Sequence, residues 1–107
     1  MIETTLQKRI DDVIGSAPVM LFMKGNPEAP QCWFSAKACE ILIESGIYFE
    51  SFDIMSDEEL RQGLKEYKQW PTFPQLYIEG ELLGGVDIMI EMYEAGEFKE
   101  IAENIQG

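Results

Sequence analysis

The stretch Val19-Met20-Leu21-Phe22-Met23-Lys24-Gly25-Asn26-Pro27-Glu28-Ala29-Pro30-Gln31-Cys32-Trp33-Phe34-Ser35 reads as a buried strand, a polar loop and a cysteine that opens a helix. Five successive apolar residues, Val19 to Met23, are too few for most helices and suit a strand covered on both faces, as parallel strands are. Lys24 and Gly25 end that run, and Pro27 and Pro30 keep the following loop out of helix. From Ser35 to Ile43 the residues have helical propensity and an apolar stripe, which puts Cys32 at or just before a helix N-terminus. Unpaired backbone N–H groups and the positive end of the helix dipole favour a thiolate there. A lowered pKa and raised reactivity are therefore expected of Cys32.

On the N-terminal side, apolar positions at Leu6, Ile10, Val13 and Ile14 mark an amphipathic helix over residues 3–15, ended by Gly15. On the C-terminal side, the helix from about 32 to 45 stops at Gly46, and Ile47 to Asp53 reads as a second strand. Strand, helix, strand at this spacing is a βαβ unit with parallel strands. Ser56 as N-cap and Glu59 form a capping box for a helix running to about Trp70. Gln75 to Ile78 and Glu81 to Leu83 flank Glu79-Gly80 as an antiparallel hairpin, and helices follow over about 86–93 and 97–104. The fold class is thus α/β, a mixed sheet of four strands with helices on both faces.

A chain of 107 residues suits a single domain with one core, so 1–107 is taken as one unit. No apolar run approaches the roughly 18 residues that cross a bilayer. The first ten residues have neither a basic n-region nor an apolar h-region, so no secretory signal is expected and the cytoplasm is the default compartment. A mitochondrial or plastid form whose transit peptide has been removed reads the same way. Twenty acidic against eight basic residues give a net charge of −12, which argues against nucleic acid or an anionic membrane as partner. The same acidity also serves simply to keep the surface soluble.

Two cysteines and no histidine exclude Cys-His pairs, Ser-His-Asp triads and histidine metal sites, so Cys32 is either the reagent of whatever chemistry the chain does or an exposed thiol without a task. Cys39 lies seven residues on, about 10 Å along a helix, too far for a disulfide, and reads as a small buried hydrophobe. Trp33 and Phe34 either cap the core or contact a ligand. Pro74 after Phe73 is either an ordinary trans proline at a strand entrance or a cis one; a cis bond would free the Phe73 backbone to pair with an extended peptide. Val86 and Asp87, after Gly84-Gly85, offer backbone N–H groups to a carboxylate and an acid to an ammonium, or Asp87 is only an N-cap. Lys24 and Arg61 could each grip a carboxylate or simply be solvated.

Lys24, Cys32-Trp33-Phe34-Ser35, Trp70-Pro71-Thr72-Phe73-Pro74-Gln75-Leu76-Tyr77 and Gly84-Gly85-Val86-Asp87 together resemble the monothiol glutaredoxins, whose signature is Cys-Gly-Phe-Ser and whose fold is thioredoxin-like. The likeness runs from about residue 8 to 105, and Ser56 to Lys65 is similar to domains of larger eukaryotic members, so the chain could be one domain of a longer protein. The resemblance implies a glutathione site in which Lys24 and Arg61 hold the glycyl carboxylate. Phe73 would pair with the cysteinyl backbone, Val86 and Asp87 would bind the γ-glutamyl end, and Cys32 would face the sulfur. It also implies a two-iron, two-sulfur cluster with Cys32 as metal ligand, bridging a homodimer and completed by two glutathiones. The cluster would pass to acceptor proteins, and BolA-like proteins are the family's other partners. Trp33 departs from the pattern by standing where the family has glycine. It is expected to resist the backbone conformations glycine allows and to crowd a second subunit's approach.

The expected function is therefore cluster binding and delivery, with a role in iron and redox homeostasis. The alternative is a thiol oxidoreductase in which Cys32 attacks a protein–glutathione mixed disulfide and free glutathione resolves it. A redox-inert thioredoxin-like adaptor is the third class. Ser35 in place of a second cysteine disfavours reduction of protein disulfides and leaves monothiol deglutathionylation open.

Overall fold

The computed structural model describes residues 4–106. It begins with α1 (Thr4–Ile14), β1 (Val19–Met23), a small hairpin of β2 (Gly25–Asn26) and β3 (Ala29–Pro30), α2 (Trp33–Glu44) and β4 (Glu50–Asp53). A 3-10 turn (Ile54–Ser56) leads to α3 (Glu58–Tyr67), β5 (Gln75–Ile78), β6 (Glu81–Gly84), α4 (Val86–Glu94) and α5 (Glu97–Gln106). The Glu3 end of the expected first helix lies outside the described residues.

Strand β1 is buried along its whole length, and its alternating side chains divide between two cores. Val19, Leu21 and Met23 pack with Leu42 of α2, Met89 of α4 and Phe98 of α5. Met20 and Phe22 pack with Ile10 of α1, Leu60 and Leu64 of α3, and Tyr77 of β5. The sheet order is β4-β1-β5-β6, with β1 parallel to β4 and antiparallel to β5, and β5 antiparallel to β6. This is the four-stranded mixed sheet with helices on both faces that the sequence pattern predicts. No helix among the described residues is long and apolar enough to cross a membrane.

The structure corrects several boundaries, and each correction has a local cause. The second parallel strand begins at Glu50 rather than Ile47. Gly46, at φ +74°, carries the chain out of α2, the Ile47 N–H closes onto the Leu42 carbonyl at 3.1 Å, and the Gly46 N–H onto that of Ile43. Ile47 thus completes a helix C-terminus instead of starting a strand. The N-cap of α3 is Asp57, not Ser56: its carboxylate accepts the Leu60 N–H at 3.0 Å. Ser56 is taken up by the preceding turn, capped by Asp53, and with Asp57 as N-cap the expected box between Ser56 and Glu59 does not form; Glu59 pairs instead with Arg9 at 3.0 Å. Helix α3 ends at Tyr67 rather than near Trp70, since Gln69 turns left-handed at φ 53° and the Trp70 N–H closes onto Lys65 O. The loop before Cys32 holds a two-residue hairpin that its prolines did not announce. Gly25 makes it possible at φ +86°, where a Cβ would stand 2.5 Å from the Ala29 carbonyl oxygen.

Helices α1 and α3 meet closely because Gly63 is buried between them. A Cβ there would stand 2.9 Å from Leu6 Cδ2 and 3.0 Å from Ile10 Cδ1. A Gly63→Leu substitution is expected to lower folding stability by about 1–3 kcal/mol through overpacking, read as a lower urea midpoint with an unchanged slope.

Candidate functional site

Cys32 is the N-cap of α2, with extended backbone at φ −156° and ψ 157°. Its sulfur accepts the Ser35 N–H at 3.4 Å and lies 3.4 Å from the Ser35 hydroxyl oxygen. That hydroxyl in turn accepts the Lys24 N–H at 3.0 Å, which ties the end of β1 to the start of α2. Partial burial opposes ionisation of Cys32. It is outweighed by the Ser35 hydroxyl, the Ser35 and Phe34 amides and the positive charge of Lys24, so the thiol titrates below its ordinary value. Cys39 is its counterpart in reverse. It is 3% exposed, sits 3.5 Å from the Met23 sulfur, and burial, with a smaller push from Glu28, raises its thiol pKa. The expectation of a small buried hydrophobe holds.

A cleft of about 560 Å³ opens beside Cys32, a size suited to a small ligand. Lys24 comes to it from the end of β1, Arg61 and Lys65 from α3, and Phe34 from α2. The loop from Trp70 to Pro74 and the start of α4, with Val86 and Asp87, complete the wall. Lys24, Arg61, Phe73, Val86 and Asp87, which the resemblance assigns to one site, all line one cleft. Cys32 itself does not line it; Lys24 and Phe34 bring the wall up to the sulfur's neighbourhood.

Three of the chain's eight basic residues face this cleft. Lys65 is the one that sequence reasoning missed. It follows Arg61 by four residues and so shares its helical face, a spacing that could have revealed it. Arg61 keeps a partly exposed ion pair with Glu58 at 3.2 Å.

The loop is held by Gln75, a fully buried polar side chain with each of its groups satisfied. Its amide nitrogen donates to the Trp70 and Thr72 carbonyls at 3.1 and 3.3 Å, and its oxygen accepts the Tyr77 hydroxyl at 3.0 Å. The Phe73–Pro74 bond is cis, the alternative that spacing left undecided. Within the described residues no hydrogen bond engages the backbone N–H or carbonyl of Phe73.

Asp87 is not an N-cap. Gly85 holds that position with no side-chain bond, and Asp87 stands exposed in the first turn of α4. Gly84 just before it has φ +145°, where a Cβ would meet Ile88 Cδ1 at 2.6 Å. Trp33 occupies the first turn of α2 without a left-handed backbone, so the conformational conflict expected of replacing glycine does not arise. Its indole is 63% exposed and meets Phe34, 52% exposed, edge to face at 5.2 Å. Neither ring caps the core.

Comparison with known proteins gives the family. The family model for glutaredoxin matches residues 19–83. Monothiol glutaredoxin-S11 of Oryza sativa subsp. japonica is 52% identical over 99 residues, covering 92% of this chain and 20% of that protein. An uncharacterized monothiol glutaredoxin, ycf64-like, of Synechocystis sp. is 52% identical over 95 residues, 89% of each chain. The chain spans about a fifth of the length of the rice relative and less than three fifths of several other curated relatives. Among solved structures, reduced poplar apo GrxS14 superposes with a TM-score of 0.78 at 52% identity, covering 92% of this chain and 91% of that one. The fold is thioredoxin-like, and the chain belongs to the glutaredoxin family, with monothiol glutaredoxins among its close relatives.

Proposed function

We propose that the chain binds glutathione in the cleft and, as a dimer, holds a two-iron, two-sulfur cluster for delivery to acceptor proteins, with BolA-like proteins as a second class of partner. The observation that carries this reading is that one cleft unites three cations, an unpaired backbone segment and an acid at a helix start, next to a helix-capping thiol. Glutathione has a carboxylate at each end and an ammonium at one. Lys24, Arg61 and Lys65 suit the glycyl carboxylate, and the Phe73 backbone suits the cysteinyl amide. The first N–H groups of α4 suit the γ-glutamyl carboxylate, with Asp87 for its ammonium.

Among the described residues no group of three or more His, Cys, Asp or Glu side chains could hold a metal ion. Each chain thus offers a cluster one accessible thiolate, Cys32. Four thiolate ligands follow if two chains each bring Cys32 and a bound glutathione, and the cluster would supply the transferable iron and sulfide. A second reading, glutathione-dependent thiol exchange, is favoured by Trp33, whose exposed indole follows Cys32 directly in the chain and would crowd a second subunit.

Calorimetric titration with reduced glutathione is expected to show binding that weakens about tenfold or more in Lys24→Ala, Arg61→Ala or Lys65→Ala, the value of a charge-assisted hydrogen bond. Anaerobic reconstitution with iron, sulfide and glutathione should give a coloured dimer by native mass, lost in Cys32→Ser. A colourless wild type beside a coloured Trp33→Gly variant would move the function to thiol exchange. The lowered pKa also fixes a pH profile. Alkylation of Cys32 by iodoacetamide should stay fast below the ordinary cysteine value, roughly 8.5, and fall off only as pH drops through the lowered one. Cys39 should react slowly throughout, and peptide mapping separates the two.

A further inference from the structure

Strand β4 is an edge of the sheet, with β1 on one side and no strand on the other. In a parallel pair, alternate residues turn their N–H and C=O groups away from the neighbour, so half of the residues Glu50–Asp53 present theirs outward. Among the described residues no backbone–backbone hydrogen bond reaches β4 from outside the sheet. Open edges are commonly guarded by a lysine, a proline or a bulge that keeps other chains off. Glu50-Ser51-Phe52-Asp53 has neither residue, and its register with β1 runs without a shift.

A groove of about 460 Å³ lies beside this edge, lined by Asp12 and Val13 of α1, Glu50 and Phe52 of β4, and Met20 of β1 among others. It shares no lining residue with the cleft near Cys32. Its charge is of one sign, since no lysine or arginine lines it. Helix α1 has no basic residue in its last turn, so Asp12 stands at the helix's negative pole where a cation would be favoured. Lys8 reaches Asp12 at 3.1 Å, but both side chains are largely exposed and such a pair is weak. Glu50 accepts the Tyr48 hydroxyl at 2.8 Å, a neutral partner.

We propose that β4 is a docking edge for an extended, basic segment of a partner protein, which pairs with the strand's backbone as an added strand. Arginine or lysine side chains of that segment meet Glu50 and Asp12. An apolar side chain two positions along covers Phe52, which shares a face of β4 with Glu50. The same charges select the occupant. A second copy would bring Glu50 and Asp53 against themselves, with −12 on each molecule, so edge-to-edge self-pairing is opposed. A partner docked at this edge leaves the cleft open.

The test is the titration of isotope-labelled, ligand-free protein with a capped octapeptide in which threonine alternates with arginine and valine. Amide resonances of residues 50–53 and 12–16 should move, and those of Lys24, Val86 and Asp87 should stay. At saturation the outward amides of β4 should exchange with solvent about tenfold more slowly. Glu50→Arg, at an exposed position outside the cleft, should weaken binding about tenfold or more, and the same peptide with glutamate for arginine should not bind. The proposal is overturned by resonances that do not move at β4, by β4 amides that exchange no more slowly, or by equal binding of the glutamate peptide. It is also overturned if the β4 resonances of the protein alone move with concentration as a dimer forms in sedimentation, for a second copy is then the occupant. Neither glutathione nor iron is present, so these outcomes stand apart from that of the proposed function.

Discussion

The constraint on which the structure depends is that five residues, Val19 to Met23, must be buried on both faces at once. A strand so placed needs two cores, and the chain supplies them from different sources. Helices α2, α4 and α5 cover Val19, Leu21 and Met23, while α1 and α3 cover Met20 and Phe22. A one-residue slip of β1 would exchange the two sets of side chains. The parallel partner β4 and the antiparallel partner β5 hold it in place, with Leu21 opposite Ser51 on one side and Leu76 on the other.

The site follows from where that strand stops. Lys24 is the first residue past β1, and the loop beyond it returns Cys32 to within one hydroxyl of the same point. Asp53, at the end of the parallel strand β4, reinforces this edge by accepting the N–H groups of Gly25 and Met55. On the antiparallel side, Gln75 at the start of β5 fixes the loop that forms the cleft wall. Strand ends therefore position the reactive groups, and buried polar side chains lock the loops between them. The cost of burying Ser35 and Gln75 is met by bonding every polar group they carry.

Most of this was legible in the sequence because its signals are local. The apolar run of β1, the helical stripe after Cys32 and the glycines at 46 and 84–85 each act within a few residues. What escaped was settled by competition between neighbours. Ser56 and Asp57 are both good caps, and the choice fell to Asp57 only because Asp53 had already drawn residues 54–56 into a turn. Ile47 and Trp70 look like strand and helix residues, but each serves to close the helix before it. Lys65 is invisible as a cleft residue until α3 is placed against the loop, and the Ser35 hydroxyl has meaning only once β1 lies behind it.

A cysteine that caps a helix has a thermodynamic consequence for whatever bonds to its sulfur. Folding favours the Cys32 thiolate, so the thiolate favours folding by the same amount; the contribution is present above the thiol's unfolded pKa and is lost as pH falls through the lowered folded one. A sulfur without charge has less to offer the Ser35 and Phe34 amides than a thiolate has. The start of α2 thus favours the one form of Cys32 whose sulfur carries charge, and the helix and the thiolate hold each other in place.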